Sequence, residues 1–332
     1  MKYGTIKGLD KKISRIVVGT RDFKDIGQCF EHYDAFLEAG YTAWDTAHIY
    51  NDGETDNLIG EWMRSRNVRD KVVVIAKGCH PIGERERVSP YNITSELLES
   101  LKRLRTDYVD IYMLHRDDPN VEIGLIVETL HKHWEEGRIK VYGGSNWSHK
   151  RIIEANEYAS KHGLQPFTVS DPQFSLLGKI DAESDRFWWW DCVSIGGSAK
   201  KEVREWYRKE GIPIFGYSAL ADGFLSGNVT PDNIESLIKD GKLPGLSVSS
   251  WYCDENMGYL ARTIEMSKRK GLTVPQVALR YITSLAANGI LDAYAIAASR
   301  KIEHMLENTV AVEEDFSAEE IAWLEMRGDD IT

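Results

Sequence analysis

Four polar side chains that could act together in acid–base chemistry stand at the ends of apolar, strand-like runs. Asp45 follows the run TAW, and Tyr50 lies five residues further on. Lys77 follows VVVIA, and His115 follows VDIYML. If the strands are parallel and lie side by side, their carboxyl ends meet at one edge, where these groups can approach one another.

An acid, a phenol, an amine and an imidazole in one place predict proton transfer to a carbonyl oxygen. A free phenol has a pKa near 10, so it is a poor acid at neutral pH. A neighbouring ammonium lowers that pKa, and Lys77, itself paired with Asp45, would act on Tyr50 in this way. The pattern therefore predicts the reduction of a carbonyl group, to which such acid catalysis contributes roughly 10²–10⁴-fold.

Strand-like runs alternate with amphipathic helical segments along the chain. Most of these runs are continuously apolar, which is typical of parallel strands covered on both faces. The predicted strands are residues 14–19, 41–44, 71–76, 108–114, 139–143, 167–170, 212–216 and 291–296. The predicted helices are residues 28–39, 55–66, 92–105, 122–136, 148–162, 198–209, 254–270, 274–287, 302–312 and 318–326.

Eight strands alternating with helices predict an α/β protein with a (β/α)8 TIM barrel, formed by residues 1–332 as a single domain. The 32 residues from Asp45 to Lys77 and the 38 from Lys77 to His115 agree with roughly 30 per barrel unit. A doubly wound sheet is the alternative, but it would normally carry GxGxxG after its first strand. The first strand here ends IVVGTRDF and lacks that motif.

Composition excludes several classes of partner. The net charge of −11 argues against binding to nucleic acid or to an anionic membrane surface. The four cysteines form no CxxC pair, which predicts neither a disulfide framework nor a zinc site. Neither a signal peptide nor a membrane-spanning run is visible, so we expect a cytoplasmic protein. The oligomeric state stays open.

Several segments, in family order, resemble the aldo-keto reductase superfamily along nearly the whole chain. They are DTAHIYNDGETDNLIG at 45–60, VVIAKG at 73–78, LKRLRTDYVDIYMLHRDDP at 101–119, GRIKVYGGSNWS at 137–148, PQFSLL at 172–177, GYSAL at 216–220, GFLSG at 223–227 and MLEN at 305–308. The family's fold is a (β/α)8 barrel preceded by a short β-hairpin. Residues 1–9 would supply that hairpin here.

The resemblance implies reduction of an aldehyde or ketone by NADPH or NADH, or the reverse oxidation. It makes Tyr50 the general acid, with Lys77 lowering its pKa and Asp45 holding Lys77. His115 would orient the carbonyl by a hydrogen bond. The cofactor supplies the hydride, while the protein supplies position and electrostatics.

The same resemblance assigns residues to the cofactor. Ser145, Asn146 and Gln173 would bind the nicotinamide carboxamide, and Tyr217 would stack on the ring. The Ser-Asn pair is also an ordinary helix N-terminal signal, and Tyr217 could be a core aromatic. Ser218 and Leu220 would line the pyrophosphate. The adenosine end would face Arg300, Glu307 and Asn308.

A 2′-phosphate could pair with Ser299 and Arg300, because a guanidinium group suits phosphate. This favours NADP(H) over NAD(H).

Several features depart from the family's pattern, and two of them concern the site and its rim. Asn51 stands where many relatives have Gly, and residues 178–198 are unusually long and aromatic. Trp188, Trp189 and Trp190 could pack on the barrel rim, line a substrate pocket or contact another subunit. Trp147 could also line the pocket. An aromatic and polar rim suggests a sugar-like polyol or its carbonyl form as substrate.

Two other classes of function stay open. One is a nicotinamide-nucleotide-binding regulatory or partner subunit with little turnover. The other is a metal-dependent barrel lyase or isomerase. The sequence shows no carboxylate–histidine cluster, and Lys77 between Asp45 and His115 would compete with a cation, so no metal site is predicted.

Overall fold

The computed structural model of the protein describes residues 1–21, 26–83, 85–180, 192–243, 245–299 and 301–327. The strands are β1 (Tyr3–Gly4), β2 (Ile13–Ser14), β3 (Ile16–Gly19), β4 (Ala43–Asp45), β5 (Val73–Gly78), β6 (Val109–Leu114), β7 (Ile139–Ser145), β8 (Val169–Asp171), β9 (Ile214–Gly216) and β10 (Ala293–Ala297). The helices are α1 (Ile26–Glu38), α2 (Glu54–Arg66), α3 (Pro90–Leu104), α4 (Ile123–Glu135), α5 (His149–His162), α6 (Lys201–Glu210), α7 (Ile234–Lys239), α8 (Gly245–Trp251), α9 (Asp254–Lys270), α10 (Val274–Ala287), α11 (Ile302–Glu307) and α12 (Ala318–Leu324).

Strands β3 to β10 form a closed barrel in the order β10-β3-β4-β5-β6-β7-β8-β9. The strand pairs with a defined register are parallel. The predicted (β/α)8 barrel is therefore confirmed. All eight predicted barrel strands are present, with ends shifted by one or more residues.

The N-terminal hairpin is longer than the resemblance implies. Tyr3 pairs with Ser14 and Gly4 with Ile13 in antiparallel register, so the hairpin reaches beyond residue 9. The predicted strand 14–19 is consequently two strands, because Ser14 belongs to the hairpin and the barrel strand begins at Ile16. One apolar run therefore serves two different sheets, which periodicity alone does not separate.

Barrel strands extend past their apolar runs into polar residues. β4 ends at Asp45, β5 includes Lys77, and β8 ends at Asp171. Hydrogen bonding continues beyond the run as well, since the His48 amide donates to the Lys77 carbonyl at 2.7 Å. The backbone that carries most candidate side chains at this edge is therefore fixed by hydrogen bonds of the sheet.

The helices agree with the amphipathic pattern, with two exceptions. Helices α7 and α8 have 6 and 7 residues and were not predicted, because so short a segment shows too little of the 3.6-residue period. The predicted helix 302–312 divides into α11 and a 3-10 turn at Asn308–Val312.

The chain divides into two compact units. Unit 1 is Met1–Asp171 with Ala298–Leu306, and unit 2 is Pro172–Ala297 with Glu307–Thr332. Unit 1 contains strands β1 to β8, and unit 2 contains β9 and β10. That residues 1–332 form a single domain stays a prediction.

None of the helices in the described ranges is both long enough and apolar enough to cross a membrane.

The start of α10 offers a test of local stability. Thr273 and Gln276 form a reciprocal capping box, in which Thr273 Oγ1 accepts from the Gln276 amide and Gln276 Oε1 accepts from the Thr273 amide. Thr273→Ala should lower the free energy of unfolding by about 1 kcal/mol, because a helical amide loses its acceptor. Urea unfolding measures this change, and Thr273→Ser is the matched control. Equal stability of the Ala and Ser variants would contradict the capping role.

Candidate active site

A buried ion pair joins two neighbouring strands. Lys77 on β5 donates a hydrogen bond to Asp45 Oδ1 on β4, and only 2 % of Lys77 and 3 % of Asp45 are exposed. Burial alone would lower the pKa of Lys77, but the charges of Asp45, Tyr50 and Asp171 raise it above its ordinary value. Lys77 is therefore an ammonium group at neutral pH.

An unusual turn presents Tyr50. Three successive residues after it have left-handed backbone, with φ of 49° at Asn51, 56° at Asp52 and 88° at Gly53. Asparagine is one of the few residues that adopts this conformation readily, which explains how Asn51 replaces the expected glycine. The Asn51 side chain also donates to the Arg21 carbonyl and to Thr55 Oγ1, both at 2.9 Å.

The structure brings the four predicted side chains together. Lys77 Nζ lies 5.6 Å from the centre of the Tyr50 ring. The rings of Tyr50 and His115 are 5.8 Å apart, edge to face at 77°. All four residues lie in unit 1, and they are as close together as the acid–base hypothesis requires.

The pKa of Tyr50 differs from the sequence expectation. Burial raises it above its ordinary value, and Lys77 acts in the opposite direction without reversing the shift. The predicted lowering of the Tyr50 pKa by Lys77 is confirmed in direction, whereas the predicted net shift toward neutrality is wrong, because loss of hydration outweighs one ammonium. At neutral pH Tyr50 keeps its proton and can donate it.

His115 is the first residue after β6, and its amide donates to the Gly78 carbonyl at 2.7 Å. Its Nδ1 is buried with no hydrogen-bond partner in the described part of the chain. Burial, then the charges of Arg116 and Lys77, hold the pKa of His115 well below its ordinary value. The imidazole is therefore neutral, with one N–H to donate. The ring of His80 packs against it at 4.7 Å.

Next to this group lies the end of β7. Asn146 has left-handed backbone with φ of 59°, and its amide donates to the Asp171 carbonyl at 3.1 Å. Its Nδ2 lies 3.1 Å from Ser145 Oγ and 3.4 Å from the His115 carbonyl. Ser145 and Asn146 are therefore gathered at the same strand ends as the four acid–base side chains.

Trp147 is a packing residue by its contacts. Its side chain is 0 % exposed, its ring lies 4.9 Å from that of Phe167, and its Nε1 donates to the Arg116 carbonyl at 3.2 Å. A pocket wall needs an open face, so this burial gives no support to the predicted substrate contact.

In unit 2, Gln173 lies beside Tyr217 in a parallel β-bridge. Its Oε1 accepts from Ser194 Oγ at 2.6 Å, and its Nε2 donates to Ser175 Oγ at 3.4 Å. Ser218 begins the turn after β9, with φ of 50°, and its hydroxyl donates to Asp222 at 2.8 Å. Leu220 lies in the same turn.

The positions predicted for the adenosine end are described only in part. Ser299 Oγ accepts from the Lys301 amide at 3.1 Å and lies 3.2 Å from His304 Nδ1. Glu307 is exposed and Asn308 is buried. Arg300 and Trp188, Trp189 and Trp190 lie outside the described residues, so their predicted roles stay predictions.

Asp171 is a further carboxylate at this site, and the resemblance assigns it no role. Asp171, the last residue of β8, is 1 % exposed, and its Oδ2 lies 3.6 Å from Lys77 Nζ. Its place after an apolar run is the same signal that identified Asp45. Sequence position does not show which side chains cross the barrel to meet.

Comparison with known proteins agrees with this geometry. Residues 15–326 match the model of the aldo/keto reductase family. A probable aryl-alcohol dehydrogenase of Saccharomyces cerevisiae is 26 % identical over 310 residues, covering 90 % of this chain and 87 % of that protein.

Two solved structures share the fold. A thermostable aldo-keto reductase in complex with the inhibitor epalrestat superposes with a TM-score of 0.71 at 21 % identity, covering 99 % of this chain and 100 % of that one. An aldo/keto reductase from Klebsiella pneumoniae, in complex with NADP and acetate, gives 0.65 at 22 % identity, covering 95 % and 91 %. The family match across nearly the whole chain identifies this protein as an oxidoreductase that belongs to the aldo/keto reductase family.

Proposed function

We propose that the protein reduces an aldehyde or ketone to the alcohol with NADP(H), or catalyses the reverse oxidation. The observation that carries the proposal is the grouping of Lys77, paired with Asp45, beside the Tyr50 ring and the neutral imidazole of His115. A neutral phenol, a neutral imidazole donor and a fixed positive charge match the needs of a carbonyl oxygen that gains negative charge.

Each side chain has a distinct role in this proposal. Tyr50 donates its proton to the carbonyl oxygen, and the charge of Lys77 stabilises the tyrosinate that remains. Asp45 holds Lys77 in place. The N–H of His115 donates a hydrogen bond to the same oxygen and orients the carbonyl. In the oxidation the tyrosinate accepts the alcohol proton.

The polar side chains fit a nicotinamide nucleotide. A carboxamide both donates and accepts hydrogen bonds, and in unit 1 the Ser145 hydroxyl and the Asn146 amide can do the same. When bound, the nicotinamide supplies the hydride. Preference for NADP(H) is supported by Ser299 and Arg300 in the sequence and by the NADP complex of the Klebsiella pneumoniae relative.

We propose two classes of carbonyl substrate. The name of the yeast relative favours an aromatic aldehyde and its alcohol. The aromatic and polar sequence of the rim suggested a sugar-like carbonyl. Both therefore belong in one screen.

The decisive experiment measures turnover of NADPH and NADH by nicotinamide absorbance against aromatic aldehydes, ketones and sugar aldehydes. We expect turnover with at least one aldehyde, faster with NADPH, and unchanged by a chelator. Tight binding of NADPH without turnover of any carbonyl would contradict the proposal and favour a regulatory subunit. Loss of activity with the chelator would favour metal-dependent chemistry.

A further inference from the structure

The ammonium group of Lys77 faces carboxylates on two different strands. Asp45 lies on β4, next to β5, whereas Asp171 lies on β8. Because β6 and β7 separate β8 from β5 in the barrel order, the 3.6 Å between Asp171 Oδ2 and Lys77 Nζ spans the inside of the barrel. Asp171 is therefore a cross-barrel partner of Lys77.

This carboxylate lies in a setting that is costly for a charge. Asp171 is almost completely buried, and its Oδ1 has no hydrogen-bond partner among the described residues. A buried carboxylate with an unsatisfied oxygen opposes folding. Lys77 already has Asp45 as a close partner, so charge balance does not require a second acid.

We propose that Asp171 is a positioning residue that acts on Tyr50 through Lys77, because it shares the Lys77 ammonium group with Asp45. The inference rests on the proposed function, in which Tyr50 exchanges a proton with the substrate. One ammonium balances one carboxylate, so ionisation of the second adds an unbalanced negative charge beside Lys77 and makes Tyr50 hold its proton more tightly.

The charged groups around Asp171 decide when it ionises. Burial raises the pKa of Asp171 to about 7, although the charge of Lys77 lowers it. The charge of Asp45 raises it, while a hydrogen bond with the Ser145 side chain and the charge of Arg116 lower it. Asp171 is therefore protonated in mildly acidic solution and ionised in mildly alkaline solution.

The charged groups that act on Tyr50 come from several elements. Burial raises its pKa, Lys77 lowers it, Asp45 and then Asp171 raise it, and Arg21 lowers it. His115, which faces the Tyr50 ring, is neutral because its pKa is lowered. Asp171, whose pKa is raised to about 7, changes its charge near neutral pH.

Asp171→Asn mimics the protonated state at every pH and tests the effect on Tyr50. In alcohol oxidation Tyr50 must be ionised to accept a proton, so loss of the Asp171 charge, which lowers the pKa of Tyr50, raises the reactive fraction. We expect the ratio of variant to wild-type kcat/KM to rise roughly tenfold from about pH 6 to about pH 9. A ratio that is the same at every pH would overturn the proposal and leave Asp171 a purely structural role.

A second measurement does not depend on turnover. The raised pKa of Asp171 means that the folded wild-type protein loses stability as pH rises from the unfolded-state pKa, near 4, to about 7. The urea midpoint of Asp171→Asn relative to wild type should therefore increase over that range and be constant above it. A difference independent of pH would overturn the proposal. Absence of turnover in the wild-type protein would instead reject the proposed function. The urea midpoints could still be measured, because they do not depend on turnover.

Two further variants complete the design. Asp110 on β6 is a buried carboxylate that pairs with Lys11 at 2.9 Å and Arg69 at 2.8 Å. Asp110→Asn should leave the pH dependence of oxidation unchanged. Asp171→Ser repeats both measurements with a smaller side chain if the Asn variant does not fold. Failure of both Asp171 variants to fold would assign the residue a structural role and overturn the proposal.

Discussion

Tyr50→Phe should lower kcat/KM for carbonyl reduction by roughly 10²–10⁴-fold and leave the affinity for NADPH within about twofold. The change removes the proposed proton donor and keeps the ring that lies edge to face with His115. The Tyr50 hydroxyl has no proposed role in holding the cofactor, so the affinity for NADPH should persist. Steady-state kinetics and fluorescence titration with NADPH measure the two quantities.

A matched control removes a different buried hydroxyl. Tyr112 lies on β6, and its hydroxyl has no hydrogen-bond partner in the described part of the chain. Tyr112→Phe should keep wild-type turnover within about twofold. If Tyr50→Phe also kept wild-type turnover, Tyr50 would not be the general acid, and the regulatory alternative would gain support.

Lys77→Met should abolish most turnover and also lower the free energy of unfolding by about 3–5 kcal/mol near pH 8. The substitution leaves Asp45 and Asp171 buried without their shared ammonium group. Removal of one partner of a buried pair leaves a charge with neither water nor a counter-ion. Urea unfolding at several pH values measures the loss.

The pH dependence of that loss has a definite sign. Burial raises the pKa of both carboxyl groups, and Lys77 lowers it, so loss of Lys77 raises the folded-state values further. The penalty is therefore present at high pH and disappears as the pH falls toward the unfolded-state value near 4, where both groups are protonated.

The double variant Lys77→Met with Asp45→Asn separates stability from catalysis. It should recover part of the lost stability, because one buried carboxylate is gone, and none of the turnover. A single Lys77→Met variant as stable as wild type at about pH 8 would show that the carboxylates do not depend on Lys77.

Much of the fold follows from local sequence. The continuous apolar runs predicted eight parallel strands, because buried strands need apolar residues on both faces. The helices with long amphipathic stripes were likewise predicted close to their observed bounds. The short helices α7 and α8 and the division between hairpin and barrel at Ser14 and Ile16 were not, because they depend on pairing and packing with distant residues.

The grouping of Asp45, Tyr50, Lys77 and His115 was also predictable, since parallel strands bring their carboxyl ends to one edge of a barrel. Only the tertiary structure showed that Asp171 reaches Lys77 across the barrel and that the pKa of Tyr50 is raised. The physical reason is that local residue patterns show where each strand lies in the sequence and which residue ends it, whereas a pKa depends on burial and on distances between charges from separate strands.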